Sequence, residues 1–131
     1  MTWDKNELWS KHSDTFSVEV KHWKSGEKNI WNVYVRLFFM GEKSHPIFNP
    51  ISNLKNSYEV DDFISFHGGC TFMQQVHTTD CFDSNKSIEI GCDYCHLDDD
   101  RFSIIDSMER AHEVFQDAES IFNNLKTKEV K

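Results

Sequence analysis

Polar and apolar positions alternate with period two over residues 16–23. Phe16, Val18 and Val20 fall on one side and Ser17, Glu19 and Lys21 on the other, the pattern of a half-buried strand. After the polar stretch Lys24-Ser25-Gly26-Glu27-Lys28-Asn29 the alternation resumes over residues 30–40, with Trp31, Val33, Val35, Leu37 and Phe39 on one face. Two such runs around a short glycine-containing loop predict an antiparallel hairpin. Phe63-Ile64-Ser65-Phe66 is a short apolar strand that stops at His67-Gly68-Gly69, and residues 70–76 continue as a strand beyond the glycines. Ser87-Ile88-Glu89-Ile90 alternates again and stops at Gly91. Near the C-terminus the period changes: Met108, Ala111, Phe115, Ala118, Phe122 and Leu125 recur at spacings of three and four, the apolar stripe of a long helix that packs on a sheet. Asp106 and Glu109 are placed to cap it.

The first dozen residues predict a short helix capped by Thr2 and anchored by Trp3, Leu8 and Trp9. Residues 41–58 hold both prolines, Pro46 and Pro50. A residue before proline is pushed out of the helical region, so this stretch reads as irregular loop. Residues 78–86 form a polar connection, and residues 126–131 are expected to fray. Residues 1–131 therefore read as a single α+β domain: an antiparallel sheet of about five strands with one long C-terminal helix packed on it.

Composition adds limits. Eleven Phe and four Trp in 131 residues are enough to fill one core. No apolar run approaches the ~20 residues that a membrane helix needs. Met1-Thr2-Trp3-Asp4-Lys5 lacks the basic and apolar regions of a signal peptide, so the expected location is the cytoplasm and no membrane partner is expected. A net charge of −8 argues against nucleic acid as a partner, since such binding needs clustered Lys and Arg. In a reducing compartment Cys70, Cys81, Cys92 and Cys95 are free or metal-bound rather than paired.

Two strand ends carry the candidate chemistry. At His67-Gly68-Gly69, consecutive glycines permit positive φ and uncover backbone N–H groups, which can form a nest for an anion. His67 stands at its lip, and Thr71 adds a hydroxyl. The segment from Gly91 to Asp100 concentrates two thiols, one imidazole and four carboxylates. Cys92 and Cys95 have the spacing of a zinc ligand pair, which His96, Cys70, Cys81, His67 or His77 would complete, although structural zinc sites show two tight pairs. Cys92-Asp93-Tyr94-Cys95-His96 also spells the c-type haem attachment motif, whose chemistry needs an exported protein. The aspartates do not have the spacing of a calcium loop. A further reading pairs Asp93 with His96, the carboxylate orienting an imidazole that moves a proton or holds a metal. If the two strand ends are neighbours, His67, Asp93 and His96 meet at one rim as candidate catalytic groups or metal ligands.

At these residues the chain resembles a family of small tailed-phage and prophage proteins. Those proteins carry H-G-G-x-T-[YF] and then W-[WI]-x-G-F-D-C-A-H-x-G-D. Here the matching residues are His67-Gly68-Gly69-Cys70-Thr71-Phe72 and Ile88-Glu89-Ile90-Gly91-Cys92-Asp93-Tyr94-Cys95-His96-Leu97-Asp98-Asp99, with His45-Pro46-Ile47-Phe48 similar to an upstream H-P-[LI]-[YF] segment. The family's cysteine falls at Tyr94 and its phenylalanine at Cys92. The resemblance implies that His67, Gly68, Gly69, Thr71, Gly91, Asp93, His96 and Asp99 are the residues that matter, and it raises His45 to a binding candidate. It implies a role in countering host defence, and no particular reaction.

Three functions are expected to compete. The first is binding, with or without hydrolysis, of a nucleotide-like small molecule by His45, His67, Gly68, Gly69, Thr71, Asp93, His96 and Asp99. The second is inhibition of a host defence nuclease or effector by an acidic surface that includes Asp98-Asp99-Asp100. The third is metal-dependent hydrolysis, with zinc the candidate ion on His67, Asp93 and His96 or on Cys92 and Cys95. His12, His22, His77 and His112 lie in polar contexts and read as surface residues.

Overall fold

The computed structural model describes residues 6–25, 28–77, 86–94 and 112–129. The two alternating runs form β2 (Phe16–Ser25) and β3 (Lys28–Phe38), and their antiparallel pairing extends from Phe16↔Leu37 to Ser25↔Lys28. β4 (Phe72–His77) and β5 (Lys86–Asp93) pair antiparallel with each other, and β5 also pairs with β3. With β1 (Asn6–His12) on the far edge, the five-stranded sheet has the order β1-β2-β3-β5-β4. The C-terminal helix is α2 (His112–Lys128), and a one-turn helix α1 (Phe48–Ser52) precedes β4. The fold is the α+β arrangement expected from the periodicities.

Cross-strand register explains the core. Val18↔Val35, Val20↔Val33, Val35↔Ile90 and Val33↔Cys92 put every second side chain on one face, where all of them are buried. Val114, Ala118, Ile121, Phe122 and Leu125 of α2 are buried with that face, and Phe115 meets the Trp31 ring edge-on at 6.0 Å. The expected stripe therefore shifts to include Val114 and Ile121, while Met108, Ala111 and the expected cap at Asp106 and Glu109 lie outside the described residues. The other face carries polar pairs, Lys21 with Glu19 at 3.6 Å and Arg36 with Glu89. Among the described residues no helix is long and apolar enough to cross a membrane.

Five local expectations are corrected. Residues 6–12 are a strand, not a helix: Glu7 pairs with Lys21 and Trp9 with Val20, so Leu8 is an extra residue and the bulge hides the period-two signal. Residues 63–66, expected as a short apolar strand, bury Ile64 and Phe66 and expose Ser65 but pair with no strand among the described residues. They follow a 3-10 turn at Ser57–Asp62 and face residues 117–125 of α2 across a cleft. The proline-containing stretch is helical at α1, where Pro50 occupies the first turn and its missing N–H costs nothing. His22 is fully buried, with its Nε2–H donated to Asn29 Oδ1 at 2.8 Å and its ring 4.5 Å from Trp31. The C-terminal tail does not fray at 126–128, where α2 continues to Lys128.

Glu129 holds that tail. Its carboxylate accepts from Thr15 Oγ1 at 2.6 Å, from Ser13 Oγ at 2.8 Å, from the Thr15 amide at 3.2 Å and from Lys126 Nζ at 3.0 Å. Burial opposes its ionisation, but these donors outweigh burial and hold the carboxyl well below its ordinary 4.5, at about 2. A carboxyl depressed on folding stabilises the native state above its unfolded value and loses that contribution as pH falls through the folded one. Glu129→Gln is therefore expected to cost about 1–3 kcal/mol at neutral pH. In urea melts at decreasing pH the two proteins should converge between the ordinary value of 4.5 and about 2. A constant gap across that window would show that the charge is not what matters.

Candidate functional site

The glycine turn forms as the residue pattern requires. Gly68 has φ 68° and Gly69 φ 91°, and the Gly69 N–H donates to the Phe66 carbonyl at 3.0 Å. The next donor, Cys70 N–H, is taken by Asp61 Oδ1 at 2.8 Å, and a Cβ on Gly69 would stand 2.9 Å from Asp61 Oδ2. The anion expected in this nest is thus a carboxylate of the chain itself. Thr71 is exposed, and its N–H donates to the Gly91 carbonyl at 2.9 Å, so the two strand ends do run side by side.

The pleat decides which side chains meet there. Ile88, Ile90 and Cys92 point into the core, so Glu89, Gly91 and Asp93 lie on the opposite face. Tyr94, past the end of β5, is buried and returns to the helix side. The His67 ring stacks on it at 4.3 Å with an interplanar angle of 11°, and the Tyr94 hydroxyl donates to Asp117 Oδ2 of α2 at 2.7 Å. His67 therefore meets Tyr94 and the helix, while Asp93 falls on the other face of the sheet and does not share its pocket. His96, Asp99, Cys95 and Cys81 lie outside the described residues.

His67 and Asp117 line a cleft of about 340 Å³ between residues 63–67 and α2. Phe63, Ile64 and Phe66 form one wall and Ile121 and Leu125 the other, with Ser65, Ser120 and Asn124 as further polar groups. Sequence reasoning placed His67 here but missed Asp117, Ser120 and Asn124, and missed the buried Tyr94 that supports His67 and Asp117 from behind. A signal was present: Asp117, Ser120 and Asn124 recur at three and four, a weakly charged stripe beside the apolar one, in a pattern that usually marks a solvated helix face.

The remaining candidates have other tasks. His45 is buried, with its Nε2–H donated to the Leu125 carbonyl at 2.8 Å and its Nδ1 accepting the Ile47 N–H at 3.2 Å. Both ring nitrogens are spent within the chain. Burial pushes the Cys92 thiol up to about 12, and hydrogen bonds from the backbone of His67 and Val33 offset this only in part, so it stays protonated and is a poor metal ligand or nucleophile. Burial also raises the Cys70 thiol, which donates to the Phe72 carbonyl at 3.1 Å. Among the described residues no three His, Cys, Asp or Glu side chains are grouped to hold a metal ion. Comparison of the chain with protein-family models, with curated proteins and with solved structures finds no match to any of them.

Proposed function

We propose that this chain binds a small ring-bearing molecule, nucleobase- or nucleoside-like, in the cleft between residues 63–67 and α2. The observation that carries this reading is a cleft of about 340 Å³ whose wall holds His67 and Asp117, linked behind it by the buried Tyr94 that stacks on one and hydrogen-bonds the other. Small-molecule sites are typically about 300–1,000 Å³, mostly apolar, with a few convergent polar groups. The phosphate end of the nucleotide expected from the sequence has less support, because two donors of the glycine turn, the Gly69 and Cys70 N–H groups, are committed to Phe66 and Asp61. The ring end keeps its support in Phe63, Phe66 and His67. A phage-type chain, as the motifs suggest, would use such a site to sequester a small host signal.

The test is thermal melting of the whole chain against nucleobases and nucleosides. A ligand at a hundredfold over its Kd stabilises by ~2.7 kcal/mol, which in a domain of this size raises Tm by roughly 8–12 °C. His67→Ala is expected to abolish the rise while leaving the unliganded Tm within a few degrees. Melts that stay flat across the whole set would sink the proposal.

One observation favours the second reading, an acidic inhibitor of a host defence protein. Phe39, Met40 and Tyr58 are large apolar side chains 46%, 45% and 66% exposed, as docking residues are. Met40→Ser with Tyr58→Ser would then leave Tm within a few degrees and remove partner binding.

A further inference from the structure

We infer that the ligand of this cleft carries an amine or amidine donor on its ring and is neutral or cationic, with Asp117 as the group that recognises it. This rests on the reading of the cleft as a small-molecule site. Among the described residues, Asp117 is the only acidic side chain that lines the cleft, and no Lys or Arg lines it. Among the described residues, two lysines that pair with carboxylates of this helix end are committed: Lys11 pairs with Glu119 at 3.0 Å, and Lys126 with Glu129 at 3.0 Å. The Tyr94 hydroxyl fixes Asp117 through Oδ2, and Oδ1 has no hydrogen-bond partner among the described residues. A fixed carboxylate with one open oxygen beside the apolar walls of Phe66 and Ile121 is an acceptor for a planar N–H donor, and its attraction for a cation grows as those walls exclude water. A phosphate in the same place would face Asp117 with no Lys or Arg among the described cleft residues to offset it, in a chain of net charge −8.

Benzamidine, benzamide and benzoate share one ring and nearly one shape while their charge runs from positive through neutral to negative. Titration of the full chain with each, followed by NMR at the resonances of His67 and the other cleft residues, is expected to rank them in that order. The two ends should be separated by about tenfold or more in Kd. Asp117→Asn should level the series, and Tyr94→Phe, which keeps a ring for His67 to stack on but releases Oδ2, should compress it. Added salt should weaken benzamidine and leave benzamide unchanged, a test that needs no variant to fold. Benzoate binding as tightly as benzamidine, or a ranking that survives Asp117→Asn, overturns the inference while the cleft stands as a site. Three titrations with no shift at the cleft overturn the site itself, and the inference with it.

Discussion

Gly91→Ala is expected to cost about 3 kcal/mol of stability, equivalent to a fall in Tm of roughly 10 °C in a domain of this size. Gly91 sits in β5 between Tyr34 of β3 and Phe72 of β4. Its backbone is ordinary extended strand, so the constraint is space. A Cβ there would stand 2.5 Å from the Val33 carbonyl oxygen and 2.6 Å from Tyr34 Cδ1. The Tyr34 ring covers the glycine and meets Phe72 edge-on at 5.7 Å, so an aromatic side chain fills the place where the outward face has no side chain of its own. Moving Tyr34 would relieve one contact only, because the other is with the backbone of the central strand. Tyr34→Ala in the Gly91→Ala background should therefore fail to restore the loss, whereas it would restore it if the ring were the sole obstacle. Because Tyr94 lies three residues on, the variant should also lose ligand stabilisation at the cleft. Urea melts by circular dichroism decide the matter: a change within about 0.5 kcal/mol would mean that the strands part at little cost.

The same residue marks where the period-two pattern of the sequence and the strand itself part. Gly91 was expected to end a strand, yet β5 runs through it to Asp93. Carrying the alternation of Ile88 and Ile90 four residues further would have put Cys92 and Tyr94 on the core side and Asp93 outside. The separation of Asp93 from His67 was thus latent in the period and was masked by treating the glycine as a stop. β2, β3 and α2 were legible because each has one wet and one dry face. β1 was not, since its bulge sets Leu8 out of step with the pairing. At the site, the His67-Gly68-Gly69 turn was legible from its glycines. That Asp61 fills it was not, because a carboxylate nine residues from its partner amide leaves no local pattern. Asp117 was invisible for the same reason: its meaning comes from Tyr94, which the fold brings to it across 23 residues of sequence.

The second large effect is expected at His45. It lies in the H-P-I-F motif and was a binding candidate from sequence, and the structure makes it a brace. Leu125 is in the last turn of α2, where carbonyls lose their intrahelical partners, and the Glu129 N–H that would have reached it bonds Lys126 instead at 3.3 Å. His45 Nε2–H takes up that carbonyl at 2.8 Å, its Nδ1 accepts the Ile47 N–H at 3.2 Å, and its ring meets Phe16 edge-on at 5.6 Å. One side chain thus ties the loop before α1 to the helix end and to the sheet. His45→Ala leaves a buried carbonyl and a buried amide without partners and opens a cavity, and it should cost about 3–4 kcal/mol with Tm lower by roughly 10–15 °C. His45→Gln offers an N–H toward Leu125 and should recover about half of that. Because both nitrogens are used inside the chain, the Gln variant should bind cleft ligands as the parent does. A Gln variant with parental Tm and no ligand response would reverse the assignment, making His45 a contact residue and leaving Leu125 to find another donor.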